Sequence, residues 1–278
     1  MSVGILKSSV QSLYLLMLNK NQPLYSGTGF VVMSQFGPVL ISSRHLITGL
    51  NQETNEKLSP TRLVPDRIKI AHNRRGELGE WVVKVEPLYD ENQTPRWAEH
   101  PALRHRANIV ALPLSDVFDV EFFPYDLENP GPNLVVGLTD PVSIIGYPFG
   151  LRGGISFPVW ANGHIASEFA VDHFDLPAFL VDCRSRPGQA GSAVVIHSNG
   201  HGLVMSGDQY REFQGPATRL LGLFGGRVNK QSDLCIVWRV SAIKEMLDAL
   251  GHAIQQSKPK KEKKERVFTS WFRSMRGA

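Results

Sequence analysis

The chain has 278 residues, a formal net charge of +4 and 42% hydrophobic residues. This length can bury one large or two small cores without disulfides, and the composition excludes wholesale disorder and a membrane channel. The nine residues from Lys258 to Arg266 contain six basic and two acidic side chains. The rest of the chain is therefore close to neutral and lacks the basic stripe of a nucleic-acid-binding surface, so no nucleic-acid partner is expected.

From about Val10 to Val240, short apolar runs alternate with Gly, Pro and Asn, a pattern typical of antiparallel β proteins. The predicted strands cover residues 13–18, 29–33, 39–42, 68–71, 81–85, 109–112, 142–145, 178–183, 192–197, 219–224 and 234–240. Eleven or twelve strands suit an all-β fold of two six-stranded antiparallel barrels. The Pro- and Asn-rich stretch 115–141 is the expected seam between them.

One helix is predicted near the end of the chain, capped by Ser241 and expected to pack on the second barrel. Its apolar residues recur at helical spacing and are Ile243, Met246, Leu247, Leu250 and Ile254. The predicted domains are an N-terminal barrel over residues 1–125, a C-terminal barrel with the helix over 126–256, and a basic, disordered tail over 257–278. The tail carries Phe268, Trp271, Phe272 and Met275 after its basic run. Over residues 258–275, this order suits docking to an acidic partner or a membrane surface.

The two cysteines, Cys183 and Cys235, each lie in an apolar run and are interpreted as reduced core thiols. The apolar run 13–18 is too short to span a bilayer and is followed by Asn-Lys-Asn rather than a cleavage site. The expected location is therefore the cytoplasm. No metal site or cofactor is predicted.

The first pattern that indicates chemistry is Ser26-Gly27-Thr28-Gly29-Phe30 followed by Ser42-Ser43-Arg44-His45. It describes two successive strands with a histidine at the end of the second. A single histidine among nine is most often a structural residue, but this context singles out His45 as a candidate general base.

Two further patterns follow in order. Asn108 leads directly into the apolar strand 109–112, where an amide can orient the ring of a histidine. Further on, residues 186–195 read Arg-Pro-Gly-Gln-Ala-Gly-Ser-Ala-Val-Val, a glycine turn that feeds a strand. Glycines at this spacing let backbone N–H groups converge on one point, as an oxyanion hole requires.

Together, these patterns resemble the trypsin-like (chymotrypsin-fold) serine peptidases, in particular the bacterial intracellular type with a Ser/Thr-x-Arg-His motif. The likeness extends from about residue 13 to 250 and includes the segments 144–148 and 221–227. It implies a serine endopeptidase acting on a protein or peptide substrate. It places His45, Asn108 and Ala190 at the catalytic positions. Two further sets follow from the resemblance: an oxyanion hole at Gly188, Gln189 and Ala190, and substrate-binding residues Arg184, Leu223, Phe224 and Gly225.

Two departures from the family matter. Where the family has its serine nucleophile this chain has Ala190, and a methyl group cannot attack a carbonyl. Where the family usually has aspartate this chain has Asn108, and exchanging aspartate for asparagine in a chymotrypsin-type triad lowers turnover by about ten-thousand-fold. Cysteine peptidases use asparagine in this role, so Asn108 does not by itself exclude activity.

Two explanations of Ala190 stay open. One is a natural pseudopeptidase that binds peptides or acts as a scaffold, for example by strand addition along 221–225. The other is a peptidase whose serine has been replaced by engineering to give an inactive form, which the retained His45 and turn glycines favour. Ser192 is interpreted as a structural serine rather than a substitute nucleophile, since it lies roughly 6–7 Å further along the strand. A cysteine peptidase of the same fold has no support, because position 190 is not cysteine.

Specificity is predicted from the residue six before the nucleophile position, which the resemblance places at the base of the primary specificity pocket. That residue is Arg184. A cation there favours an acidic side chain at the cleavage position. The alternative is that Arg184 points to solvent or pairs with Asp182.

Overall fold

The computed structural model describes residues 4–52, 54–152, 156–206, 209–229 and 231–257, with the side chains of 251–257 left out. The basic segment 258–278 therefore lies outside the described residues. The strands are β1 (Ser12–Asn19), β2 (Gln22–Ser34), β3 (Gly37–Ser42), β4 (Arg67–Arg74), β5 (Trp81–Pro87), β6 (Ala98–Glu99), β7 (Val110–Pro113), β8 (Val120–Glu121), β9 (Pro141–Gly146), β10 (Val159–Ile165), β11 (Ala178–Asp182), β12 (Ala193–Ser198), β13 (His201–Ser206), β14 (Gln209–Gln214), β15 (Ala217–Arg227) and β16 (Leu234–Arg239). The helices are α1 (Ser8–Gln11), α2 (Arg44–Thr48) and α3 (Val240–Ser257), with two 3₁₀ turns at Arg104–Arg106 and Pro148–Gly150.

The N-terminal strands form one eight-stranded antiparallel sheet. Its order is β5-β4-β1-β2-β3-β7-β6, and β8 pairs with the end of β4. The long strands β1 and β2 pair over the full length of β1, from Ser12 opposite Phe30 to Asn19 opposite Gln22. Buried side chains of this sheet form an apolar core that includes Leu15 and Met17 of β1 and Leu40 of β3.

The C-terminal strands close into a barrel of six in the order β10-β11-β16-β15-β12-β9. Its interior is filled by apolar side chains such as Phe179, Val194 and Val237. The hairpin of β13 and β14 lies outside the barrel as a separate two-stranded sheet. The all-β prediction and one six-stranded barrel are therefore confirmed.

A second closed barrel is not confirmed. Within the described residues, the N-terminal sheet runs from β5 at one edge to β6 at the other. Strand β6 has two residues and, among the described strands, pairs with β7 alone. The predicted domain boundary at residue 125 stays a prediction.

A third apolar cluster joins the N-terminal sheet, the first unit, to the C-terminal barrel, the second unit. Phe30 and Ile41 from the first unit pack with Ile145 and Leu223 from the second. The helix α3 adds Ile243 and Met246, both fully buried, and Leu247 and Leu250, partly buried, to this shared core. The helix thus covers the seam rather than the second barrel alone, and it begins at Val240, one residue before the predicted cap. The side chain of Ile254 lies outside the described residues.

The eleven predicted strands all overlap strands of the structure, with bounds that differ by at most three residues except at β2, which begins seven residues before the predicted start. The strands that the sequence did not predict are β6, β8, β10, β13 and β14. Strand β10 was missed because its sequence, Val-Trp-Ala-Asn-Gly-His-Ile, contains residues with low strand propensity. Both cysteines are free and buried, as predicted.

Candidate active site

An open groove of about 470 Å³ lies where the two units meet. Its lining includes His45, Asn108 and Ala190, which are far apart in the sequence. The groove is also lined by Tyr25, Ser26, Leu46, Asn51, Gln52, Leu58, Ser185, Arg186, Pro187, Gly188, Phe224, Gly225, Gly226, Arg227 and Asn229. The three predicted catalytic positions therefore share one solvent-accessible site.

The histidine is presented by the short helix α2. Ser43, in extended conformation, precedes this helix, and Gly49, in the left-handed region, ends it. The backbone N–H of His45 donates to Asn108 Oδ1 at 3.1 Å, so the asparagine fixes the backbone of the histidine as well as its ring.

The ring of His45 contacts both ends of the Asn108 amide. Its Nδ1 lies 3.0 Å from Oδ1 and 2.9 Å from Nδ2. When Nδ1–H donates to Oδ1, Nε2 carries a free lone pair and can accept a proton. The opposite arrangement, in which Nδ2 donates to Nδ1, places the ring proton on Nε2 and blocks that role.

Burial lowers the pKa of His45 below its ordinary value, and the hydrogen bond with Asn108 offsets part of this effect. The imidazole is therefore neutral at pH 7, which is the state that a general base needs.

Asn108 also ties the two units together. Its Nδ2 donates to the carbonyl of Gly225 at 2.8 Å. An asparagine satisfies this contact, whereas a carboxylate would place an acceptor against an acceptor. The amide therefore has a structural reason to be present at this position, in addition to its contact with the ring.

The turn before Ala190 can be followed peptide by peptide through its carbonyl groups. The Pro187 carbonyl accepts from Phe149 N at 2.6 Å, and the Gly188 carbonyl accepts from Thr28 Oγ1 at 2.8 Å. The Gln189 carbonyl accepts from Ser192 N at 3.0 Å, and the Ala190 carbonyl accepts from Thr28 N at 3.0 Å. Every carbonyl of the turn is thus held on its side away from the groove.

Its N–H groups behave differently. Gln189 N donates to Arg186 O at 3.2 Å, and Gly191 N donates to Phe224 O at 2.9 Å. Among the described residues, the N–H groups of Gly188 and Ala190 have no acceptor. Since a trans peptide points its C=O and N–H in opposite directions, these two donors face the groove. An oxyanion hole requires two donors that converge in this way.

Gln189 contributes its side chain rather than its N–H. The side chain is buried, and its Oε1 accepts from Arg186 N at 2.6 Å, which closes the turn from inside. Of the three residues predicted for the oxyanion hole, Gly188 and Ala190 present N–H groups without an acceptor in the described part of the chain. The side chain of Gln189 instead stabilises the turn through its hydrogen bond with Arg186 N.

Gly188 can be replaced by no other residue without strain. Its φ is +94°, and an added Cβ would lie 2.3 Å from the carbonyl oxygen of Tyr147. The glycine therefore permits both the left-handed turn and the close approach of the segment 147–149.

The predicted substrate-binding residues are only partly at the groove. Phe224 and Gly225 line it, but Leu223 is fully buried in the shared core. Arg184 is exposed and is not part of the groove lining, whereas Arg186 is. Ser192 is fully buried, which agrees with its interpretation as a structural serine.

Sequence reasoning missed Thr28, Phe149 and Arg186. Thr28 lies in the glycine-flanked segment 26–30 that drew attention to His45, but nothing local shows that its hydroxyl reaches residue 188. Phe149 is a non-glycine residue with φ +55°, and such a conformation has no signature in the sequence.

Within the described part of the chain, no group of three or more His, Cys, Asp or Glu side chains is arranged to hold a metal ion. In the same part, no helix has the length and apolar character needed to cross a membrane.

No family model matches the sequence. No curated protein matches it either. Among solved structures, the serine endoprotease from Yersinia pestis is 13% identical with a TM-score of 0.49, and the alignment covers 88% of this chain and 65% of that one. The active form of the Rv3671c protease from M. tuberculosis is 12% identical with a TM-score of 0.43, covering 87% of this chain and 81% of that one. The chain thus spans about two thirds of the Yersinia protease.

Proposed function

We propose that the chain has the site of a trypsin-like serine endopeptidase whose nucleophile position is occupied by Ala190. The observation that carries the proposal is the meeting of two features in one groove. A neutral histidine held by Asn108 lies in the same groove as two unpaired N–H groups at Gly188 and Ala190.

With serine in place of Ala190, the reaction would proceed by acyl transfer. The serine Oγ forms a bond to the carbonyl carbon of the substrate, and its proton passes to Nε2 of His45. The N–H groups of Gly188 and Ala190 stabilise the negative charge on the carbonyl oxygen. When the C–N bond breaks, His45 returns the proton to the departing amine, and water then hydrolyses the acyl enzyme by the same proton path.

Ala190 itself supports a second proposal, a pseudopeptidase that binds an extended peptide without cutting it. The groove wall at 224–226 and the oxyanion N–H groups would bind the peptide backbone in either case. The two proposals differ only in whether the site works once a hydroxyl is restored.

The test is to label the Ala190→Ser form with a fluorophosphonate probe, which reacts only with an activated serine. Labelling is expected for Ala190→Ser and should be lost in the Ala190→Ser/His45→Ala double variant. Ser192→Ala in the same background is the matched control and should label fully, because Ser192 is buried away from the groove. A folded Ala190→Ser protein that resists labelling would exclude the peptidase and leave the peptide-binding proposal.

We further propose that the substrate carries an acidic residue near the cleaved bond, as predicted from the sequence. Arg186 rather than Arg184 binds this residue. Among the described residues, the groove lining contains Arg186 and Arg227 and no carboxylate. Both arginines stand in segments that line the groove, and these segments are joined by the hydrogen bond from Gly191 N to Phe224 O.

Peptide-library cleavage by the Ala190→Ser form should reveal this preference. Arg186→Ala should weaken a preference for Asp or Glu by about tenfold or more, the size expected for a charge-assisted pair, whereas the exposed Arg184→Ala serves as the control and should leave it unchanged. A preference for Arg, Lys or large apolar residues would contradict the proposal.

Two expectations about context also stay proposals. The proposed location in the cytoplasm is supported by the two reduced thiols, Cys183 and Cys235. Docking of the basic tail to an acidic partner or a membrane surface is supported by its composition alone.

A further inference from the structure

Thr28 lies at the centre of the contacts between the first unit and the turn of residues 187–191, called the oxyanion turn below. It is fully buried in β2. Its hydroxyl donates to the carbonyl of Gly188 at 2.8 Å and accepts from Tyr147 N at 3.1 Å, and its backbone N–H donates to Ala190 O at 3.0 Å. One residue therefore contacts both sides of the turn and the neighbouring segment 147–149.

The turn needs such an external restraint. Gly188 is required because an added Cβ would collide with Tyr147 O, but glycine populates positive and negative φ about equally. The same residue that permits the turn therefore leaves the adjoining peptides free to rotate. Rotation of the Pro187–Gly188 peptide would turn the Gly188 N–H away from the groove, because that N–H belongs to this peptide.

The hydroxyl of Thr28 opposes this rotation in two ways. It holds the Gly188 carbonyl, which fixes the peptide on the other side of the Gly188 Cα. It also holds Tyr147 N, two residues before Phe149, whose own N–H anchors the Pro187 carbonyl at 2.6 Å. Since Pro187 O and Gly188 N belong to one trans peptide, this anchor points Gly188 N–H into the groove.

We propose that Thr28 is a positioning residue whose hydroxyl sets the oxyanion turn, so that the N–H groups of Gly188 and Ala190 converge on the groove. This inference rests on the peptidase site proposed above. Loss of the hydroxyl should lower the rate of the chemical step and leave ground-state binding of the peptide nearly unchanged, because the two N–H groups act most strongly on the charge of the transition state.

The activity test uses the Ala190→Ser form. Thr28→Val, which keeps the size of the side chain, is expected to lower kcat by about 100-fold with KM changed by less than about threefold. Thr28→Ser keeps the hydroxyl and should return most of the lost kcat. If Thr28→Val fails to fold, Thr28→Ala removes the same hydroxyl without adding a methyl group.

The matched control is Ser12→Ala. The hydroxyl of Ser12 is also buried and also donates at 2.8 Å to a carbonyl of the second unit, but that carbonyl is Ile145 O and not part of the turn. Ser12→Ala should lower the melting temperature about as much as Thr28→Val and leave kcat unchanged. Equal losses of kcat in both variants, or no rescue by Thr28→Ser, would overturn the proposal.

A second measurement separates this proposal from the proposed function. In the chain that keeps Ala190, amide NMR resonances of Gly188 and Ala190 should move in Thr28→Val and stay in place in Ser12→Ala. If they stay in place in Thr28→Val, the positioning role is refuted whatever the activity. If they move while Ala190→Ser has no activity, Thr28 sets the turn and the peptidase proposal fails.

Discussion

Replacing Gly188 with alanine tests the geometry of the turn most directly. The φ of +94° costs an alanine roughly 1–2 kcal/mol. The new Cβ would also lie 2.3 Å from Tyr147 O, whereas ordinary contacts begin near 3.4 Å. Relief requires a shift of about 1 Å between two backbone segments, which breaks the Phe149 N to Pro187 O hydrogen bond and costs about 1 kcal/mol more. After the gain from a stiffer unfolded chain, the total is about 2 kcal/mol.

Gly37→Ala is the matched control for this change. Gly37 has a similar φ of +112°, but no atom lies within 4 Å of the position of its Cβ. It should therefore cost only the backbone strain, about 1 kcal/mol after the gain from a stiffer unfolded chain.

Urea unfolding of both variants measures the difference. At about 2–4 °C per kcal/mol, Gly188→Ala should also lower the melting temperature by roughly 4–8 °C. In the Ala190→Ser background it should reduce kcat by about 100-fold or more, because one oxyanion donor is displaced, while Gly37→Ala should not change kcat. Equal destabilisation by the two alanines would refute the packing of the turn against Tyr147.

Three further predictions concern other parts of the chain. In the Ala190→Ser form, Asn108→Asp should raise turnover, because a carboxylate accepts a hydrogen bond only from the Nδ1–H tautomer of His45. It should also lower the free energy of unfolding by about 1–3 kcal/mol, because aspartate cannot donate to Gly225 O. Unchanged or reduced turnover would show that asparagine is the residue that this site requires. Burial lowers the pKa of His72 to about 4, so its contribution to stability is complete above pH 6.5 and is lost as pH falls from 6.5 to 4, by about 3 kcal/mol in total. His72→Leu should flatten the pH dependence of urea unfolding over that range, and an unchanged slope would contradict the assignment. A chain ending at Gln256 should stay folded by circular dichroism and keep the activity of the Ala190→Ser form but lose salt-sensitive binding to anionic liposomes; unfolding on truncation would mean that the tail packs on the body.

The sequence alone determined the β-rich architecture, the eleven main strands and the helix α3. These features follow from apolar periodicity and from the positions of Gly and Pro, which are local properties. It also singled out His45, Asn108 and the turn 188–191 as candidates for one site, through their order along the chain and a family resemblance. Short strands such as β6 and β8 could not be predicted, because two residues carry no period.

Only the tertiary structure decided how these residues act together. Asn108 Nδ2 reaches Gly225 O across 117 residues, and Thr28 Oγ1 reaches Gly188 O across 160. Gln189 N–H is paired within the turn, with Arg186 O. The conformation that allows this pairing and leaves the N–H groups of Gly188 and Ala190 unpaired among the described residues is held by donors from distant segments, such as Phe149 N and Thr28 Oγ1. The arginine at the groove, Arg186 rather than Arg184, was likewise fixed by the path of the loop, because counting residues along a chain does not give the direction in which a side chain points.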